Sequence, residues 1–460
     1  MKFLNEGKNL VKKEENDFIG IWRRIKTRDF SGNTGLAVKN SVYQFSTQSI
    51  AKIGSLIFTV ILARLLMPEL FGLYSLALAT IIIFGTISEL GIGQTIIRFV
   101  SKEIGKGKNG KVKSYLIYLG KIKIYLVLIS SILLLISSKY IANSFYQKPI
   151  FLALLAGALY LISIQAVAFF QSALMASNSF KGIFQKEILY QTLRVILVPL
   201  AVVFALKYSL ESEMILMMII LALALSLLIT SIFLSINTKR IYASKFKTNQ
   251  KLLSKNQKSI TNRFLLATAV LALSGTFFAN IDRVMLGKFV EAEFIGYYSA
   301  AFTLIGALIP ILAVAAIVLL PIFSRIKGKE LENGFKKALR ITFVFSFFAF
   351  IATISLAYFV ILIIFGKEFL PSTNILRVLS LLLFVIPSIA IYQSYYLSQG
   401  KPKIVTKFLM IALVINIILN YVFITSLLPY GNLAAAQGAA IATIISQFFY
   451  LGGLVWRRKN

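Results

Sequence analysis

Apolar residues gather along the chain into twelve stretches separated by short polar breaks. A helix needs about 20 apolar residues to cross a bilayer, and each stretch reaches that length. The first six lie near 41–65, 71–99, 115–138, 149–176, 184–207 and 212–236, and the second six near 263–288, 295–323, 338–366, 372–398, 403–427 and 434–456. The breaks alternate in charge. Lys102, Lys106, Lys108, Lys111 and Lys113 follow the second stretch, Lys181 and Lys186 mark the fourth break, and seven cations between Lys239 and Lys258 fill the middle of the chain. Arg325, Lys327, Lys329, Lys336 and Lys337 follow the eighth stretch, Lys401, Lys403 and Lys407 the tenth, and Arg457, Arg458 and Lys459 the twelfth. The intervening breaks, such as 66–70, 211–213, 291–293 and 428–432, carry few cations. Short loops rich in Lys and Arg stay in the cytoplasm, so both chain ends are expected there.

This pattern predicts an all-α, polytopic membrane protein of about twelve helices in two six-helix lobes. Its divisions are a cytoplasmic N-terminal segment (1–39), an N-lobe (40–238), a basic cytoplasmic linker (239–262) and a C-lobe (263–460). The first segment lacks a signal-peptide core, and Phe18, Ile19, Ile21, Trp22 and Ile25 are expected to lie against the bilayer surface. Composition agrees. With 58% hydrophobic and 14% charged residues and a mean hydropathy of +0.81, the chain has more apolar surface than a soluble fold can bury. The net charge of +32 is accounted for by orientation and anionic inner-leaflet lipid rather than by nucleic acid. The absence of Cys and His removes disulfides, thiol nucleophiles and the commonest general base, and no metal site is expected. A membrane glycosyltransferase or polymerase would need catalytic carboxylates on a substantial outer loop; the outer breaks are short and hold no Asp-x-Asp, so no enzyme is expected.

The halves repeat. Glu69-Leu70-Phe71-Gly72-Leu73-Tyr74-Ser75 aligns with Glu293-Phe294-Ile295-Gly296-Tyr297-Tyr298-Ser299 at an offset of 224, and Phe170-Gln171-Ser172 with Tyr392-Gln393-Ser394 at 222. Six crossings is an even number, so the copies insert in the same sense, related by an axis along the membrane normal, with a central cavity expected between them. The segment Leu62 to Tyr74 and the run Asn280-Ile281-Asp282-Arg283-Val284-Met285-Leu286-Gly287 resemble the multidrug/oligosaccharidyl-lipid/polysaccharide exporter superfamily, and within it the Wzx-type polysaccharide flippases. The resemblance implies a MATE-like fold in the cell membrane and a cargo of isoprenoid-diphosphate-linked oligosaccharide moved by alternating access for surface polysaccharide synthesis. It also implies membrane lipid and other polysaccharide-assembly membrane proteins as partners.

Charged residues within the spans are costly and therefore mark candidate sites. Gln44, Gln48, Lys52, Ser55 and Thr59 share one face of the first helix, a polar stripe suited to an anionic cargo; the alternative for Lys52 is an ion pair with Glu89. Glu89 is a candidate for a coupling proton or cation, or for a structural pair. Arg194 shares a face with Glu187 and Gln191 and is either a cavity cation or an intrahelical partner of Glu187. Arg283 is placed by the resemblance at the lobe interface, where it would meet a diphosphate. Asp282 either braces its helix or holds a coupling proton or sodium ion; no other cofactor is expected. Arg377 lines a vestibule or reaches the headgroups, and Tyr392 and Gln393, within the run to Gln399, suit sugar or an interfacial belt. Pro199, Pro310 and Pro387 are expected kink positions. The rival function is a cation-coupled multidrug extruder, whose cavity should be acidic, whereas these mid-span charges are mixed to cationic.

Overall fold

The computed structural model describes residues 32–107, 109–245 and 251–459; the N-terminal surface residues 18–25 lie outside that range. Among the described residues eleven helices are long and apolar enough to cross a membrane. The first is really two crossings. It runs for 67 residues, from Lys39 to Gly105, about 100 Å if straight, against about 30 Å of hydrocarbon. Helix α1 (Gly32–Glu89) breaks at Met67, whose φ of 59° and ψ of 170° leave the helical region just before Pro68. Thr59 and Ile82 line the same small cavity, although a straight helix would separate them by roughly 35 Å, so α1 doubles back at Met67. Twelve crossings result.

The remaining elements follow in order: α2 (Ile92–Gly105), α3 (Asn109–Lys139, prolonged by a π-turn segment Tyr140–Tyr146), α4 (Phe151–Ala176), α5 (Phe180–Lys207), α6 (Ser212–Lys245) and α7 (Lys255–Phe289). Then come α8 (Ala292–Leu312), α9 (Val314–Arg325), α10 (Gly328–Ile364), α11 (Ser372–Leu379), α12 (Leu382–Ser398), α13 (Pro402–Leu427) and α14 (Asn432–Lys459). The second crossing breaks between α1 and α2 at Leu90 and Gly91, where Gly91 takes a φ of 76°. The eighth breaks three residues after Pro310, at Ala313. Helices α5 and α12 continue through Pro199 and Pro387.

The two lobes meet through repeat-related residues. A Cβ on Gly72 would stand 1.8 Å from the carbonyl oxygen of Ala292, and one on Gly296 2.1 Å from that of Pro68. Both pairs match at the offset of 224, so the pseudo-twofold axis passes between them. Only hydrogen fits there. Around this point the contacts are reciprocal. Arg64 donates from Nε to the carbonyl of Ile364 (2.8 Å) and from its other nitrogen to Ile363, closing the carbonyl end of α10. Lys288, its repeat counterpart, lies 5.2 Å over the ring of Phe145 at the end of the third crossing. Nearby, burial lowers the Lys148 ammonium below the ordinary lysine range; Glu291 of the other lobe opposes the shift and Lys288 adds to it.

One buried cluster runs across the lobes at this end, holding Leu62, Phe71, Leu76, Tyr146, Ile295, Tyr298 and Phe369. Toward the basic face it gives way to two separate clusters. Phe323, Phe335, Tyr392 and Leu454 belong to the C-lobe, and Phe99, Tyr115 and Leu119 to the N-lobe. The N-lobe cluster also takes Leu253 and Leu265, and Tyr118 donates to Asn262 at 2.9 Å, so the start of α7 leans on the N-lobe. The chain has no Cys, so a Cys introduced at Ser299 reports solely on that position. Replacing Gly72 by Ala should force the lobes apart and make that Cys react faster with a membrane-impermeant thiol reagent added from the face opposite the basic loops; an unchanged rate would mean that the glycine contact does not close that face.

Candidate functional site

Between the lobes lies a cavity of about 140 Å³. Thr59, Phe71, Tyr74, Ser75, Leu78, Ala79 and Ile82 line it from α1, Asn280 and Arg283 from α7, and Ser299 and Thr303 from α8. The repeat brings these residues together: Ser75 and Ser299, Ala79 and Thr303, and Thr59 and Arg283 are all matched pairs. Thr59 is the inner end of the polar stripe on the first crossing. Ser55 lies half-buried on the same face, and Gln44, Gln48 and Lys52 are exposed along it toward the basic end. The stripe therefore leads from the basic face to the cavity.

Arg283 is the cavity's cation. Its Nε donates to Ser299 Oγ (3.2 Å), one terminal nitrogen donates to the carbonyl of Ala279 (3.3 Å), and the guanidinium lies 5.0 Å over the Phe302 ring. Asp282 points elsewhere, as expected for neighbours about 100° apart on a helix. It is 3% exposed and accepts from Tyr298 (2.5 Å), Thr443 (2.6 Å) and Asn420 (2.8 Å), tying α7 to α8, α13 and α14. Asn416 donates to Thr443 (3.1 Å) and Ser446 (3.2 Å) beside it. The side-chain amide oxygens of Asn416 and Asn420 are buried without a hydrogen-bond partner. A carboxylate and two unused amide oxygens are thus gathered in one buried place. Asn416, Asn420 and Thr443 were not singled out from the sequence; the spacing of four between Asn416 and Asn420, which puts both amides on one face of α13, was the available signal.

Glu89 sits in a structural ion pair, one of its two sequence readings, but neither it nor Glu187 takes the partner weighed from the sequence. Glu89 does not meet Lys52; its partner is Lys123, 4% exposed on α3, at 2.5 Å. Lys123 also donates to Gln165, whose own amide donates to the carbonyl of Gly85 at 2.8 Å. The second Glu89 oxygen accepts from the Gly93 backbone N–H (3.1 Å), so the carboxylate closes the break in the second crossing. Glu187 does not meet Arg194 either. Lys186 (2.7 Å) and Gln191 (2.6 Å) occupy it, both reachable from the same turn. Gln191 fits because Gly54 faces it with no side chain: a Cβ there would lie 2.6 Å from its amide oxygen. Arg194 is left 4.6 Å over Phe58 and 5.1 Å over Tyr190.

Arg377 is exposed on α11 and does not line the cavity. The aromatic run at the end of α12 is engaged inside the C-lobe. Tyr392 packs edge-on against Phe335 with centroids 4.9 Å apart, Gln393 donates to Tyr450 (3.0 Å), and Tyr396 donates to the carbonyl of Leu454 (2.8 Å).

Two lobes of six crossings, joined on a pseudo-twofold axis with a polar cavity between them, define the fold of the multidrug/oligosaccharidyl-lipid/polysaccharide exporter superfamily. Solved structures share it. The lipid II flippase MurJ in an inward closed conformation matches with a TM-score of 0.68 at 17% identity, covering 91% of this chain and 87% of that one. An inward-facing multidrug resistance MATE family transporter matches at 0.63 and 14% identity, covering 91% and 94%. A transporter of the same superfamily from Pyrococcus furiosus, described as having a binding pocket of reversed polarity, matches at 0.53 and 14%, covering 94% and 96%.

The chain belongs to the polysaccharide biosynthesis protein family, whose model matches residues 37–327. It is also 32% identical over 108 residues to the teichuronic acid biosynthesis protein TuaB of Bacillus subtilis (strain 168), a match spanning 22% of each chain. It is a multi-pass membrane protein.

Lys123 is buried but the Glu89 side chain is 30% exposed, so removing Lys123 leaves a carboxylate that solvent still reaches, at a cost of about 1 kcal/mol. Lys123→Met should lower the thermal stability of the purified protein by that order, and the double variant Lys123→Met with Glu89→Gln should recover most of it. A double variant no more stable than the single one would show that the pair is not what holds the break.

Proposed function

We propose that the protein moves an isoprenoid-diphosphate-linked oligosaccharide across the cytoplasmic membrane by alternating access, for cell-surface polysaccharide synthesis. The observation that carries this reading is the interlobe cavity itself, with Arg283 at its inner end and the Lys52 stripe leading to it from the basic face. Cations in a low-dielectric cleft favour a phosphate headgroup. Among the described residues no carboxylate lines the cavity, which disfavours the organic cations of a multidrug extruder. Membership of the polysaccharide biosynthesis family supports the same cargo. A cavity of about 140 Å³ holds a headgroup and not an oligosaccharide, so the sugar lies outside it in this arrangement.

The basic face is read as cytoplasmic, with both chain ends there. Contact through Gly72 and Gly296 then closes the outer side, and the cargo enters along the stripe while its tail remains in lipid. Transport needs no bond-making step, and the protein is read as a transporter rather than an enzyme, working with other polysaccharide-assembly membrane proteins. Coupling is assigned to Asp282 rather than Glu89. Lys123 already neutralises Glu89, whereas Asp282 is bonded by neutral donors alone, beside the unused amide oxygens of Asn416 and Asn420. These oxygens suit a sodium ion, or Asp282 a proton; either would offset the buried negative charge.

Reconstituted in liposomes with a lipid-linked oligosaccharide, the protein should expose the sugar to an added glycosidase. Arg283→Gln should slow exposure about tenfold or more, the worth of one charge-assisted contact, and Asp282→Asn should abolish its dependence on sodium or pH. Export of cationic dyes without glycan exposure would overturn the cargo assignment, and an unaltered ion dependence in Asp282→Asn would overturn the coupling assignment.

A further inference from the structure

The seventh crossing is held by both lobes. Its later part is a C-lobe helix: Phe278 packs in the C-lobe cluster, and Asp282 is bonded from α8, α13 and α14. Its first turns, with the end of the linker, lie on the N-lobe instead. The Lys251 backbone N–H donates to the carbonyl of Gly110 (3.0 Å), and Ser114 Oγ donates to the carbonyl of Lys251 (2.7 Å). Leu253 is buried among N-lobe side chains, Ser254 and Gln257 cap α7 reciprocally, and Lys258 lies 5.7 Å over the Tyr118 ring, whose hydroxyl donates to Asn262 (2.9 Å). One turn further, Arg98 lies 4.2 Å over Phe264, and Phe99 meets the same ring edge-on at 5.8 Å. Thr268 ends the run: a Cβ on Gly91, at the break in the second crossing, would stand 2.1 Å from its hydroxyl oxygen.

The repeat makes this arrangement one-sided. At the offset of 224, Thr268 matches Gln44 and Phe264 matches Asn40. The start of α1 leans on its own lobe, Tyr43 packing against Phe184 of α5 with ring centroids 5.6 Å apart, and Gln44 and Phe45 are exposed. The start of α7 crosses to the other lobe, and its twin does not. The basic face is therefore strapped along the flank between the seventh and second crossings.

We infer that this strap, residues 251–268, is a fixed fulcrum: it stays on the N-lobe throughout the cycle, keeps that flank of the basic face shut, and joins the lobes there while the glycine contact parts. The inference rests on the alternating-access reading. Two bodies that open at one face must stay joined near the other, and the strap is built for that joint. Apolar burial of Leu253 and Leu265, two side-chain hydrogen bonds and two cation–ring contacts lie along one run of chain, so releasing any part leaves polar or apolar groups of the rest without partners. The linker also ties the strap to α6 of the same lobe, which keeps its effective concentration there high. Lobe motion is then taken up in α7 between Thr268 and Phe278, where a Cβ on Gly275 would meet nothing within 4 Å.

The test uses thiols introduced into the Cys-free full-length chain. Thr261, within the strap, is 0% exposed. In nanodiscs, Thr261→Cys should react slowly with a water-soluble maleimide, and lipid-linked oligosaccharide should leave that rate unchanged. Adding Ser114→Ala and Tyr118→Phe, which removes both side-chain hydrogen bonds, should raise the rate about tenfold and, in liposomes, slow glycan exposure. A short cross-link between Ser114→Cys and Lys251→Cys should leave glycan exposure at the rate of the same protein before cross-linking. A cross-link that stops transport, or a thiol at position 261 that cargo unmasks, would reveal a gate that opens in each cycle and overturn the fulcrum. An unchanged thiol rate in the Ser114→Ala, Tyr118→Phe background would overturn it too, because the strap would not be holding the flank. Should the cross-linked pair fail to fold, the effect of cargo on Thr261→Cys decides alone. Wild-type protein that exposes no glycan would overturn the transport reading and the fulcrum with it.

Discussion

The close approach of Gly72 and Gly296 is the constraint on which the rest of the structure depends. Backbone meets backbone across the pseudo-twofold axis, and no side chain can be inserted without parting the lobes. This contact fixes where the second and eighth crossings touch, and therefore where Ser75, Tyr74, Ser299 and Thr303 face one another just beyond it. Arg64 and Lys288 reinforce it from opposite sides, each reaching across to the end of the other lobe's third crossing. Away from the contact the buried core splits into separate clusters, and there the lobes touch chiefly where the start of α7 packs on the N-lobe.

The two lobes share a backbone plan and differ in charge. At matching places the C-lobe carries Asp282 and Arg283 where the N-lobe carries Phe58 and Thr59. The C-lobe thus holds a buried carboxylate ringed by neutral donors. The N-lobe holds a buried guanidinium ringed by aromatic faces, supplied by a different helix. Among the described residues neither Asp282 nor Arg194 forms an ion pair. Duplication supplied the frame, and substitution at the interface gave each half a different task.

Much of the frame could be read from the chain, because spans, charge alternation and repeats are periodic and long. The twelve crossings and the lobe repeat emerge from such patterns, and so does the face shared by Gln44, Gln48, Lys52 and Thr59. Pairing across helices is another matter. Glu89 finds Lys123 and Glu187 finds Lys186 because of how α3 and α5 pack, and no spacing along the sequence records that. The role of Tyr392 and Gln393 was ambiguous for the same reason: an aromatic run reads alike whether it lines a cleft or, as here, packs inside a lobe. The repeat offset was the strongest available clue to the cavity, since three matched pairs, Thr59 with Arg283, Ser75 with Ser299 and Ala79 with Thr303, line it together.

The central claim is that the glycine contact seals one face in this arrangement and parts during transport, so that the two faces open in turn. It is tested most directly by distances between spin labels attached to introduced cysteines, one pair at Lys181 and Lys401 on the basic face and one at Glu211 and Tyr430 on the opposite face, with and without lipid-linked oligosaccharide. Alternating access predicts that cargo shortens the first distance and lengthens the second. Distances that stay fixed, or that change in the same direction at both faces, would contradict it.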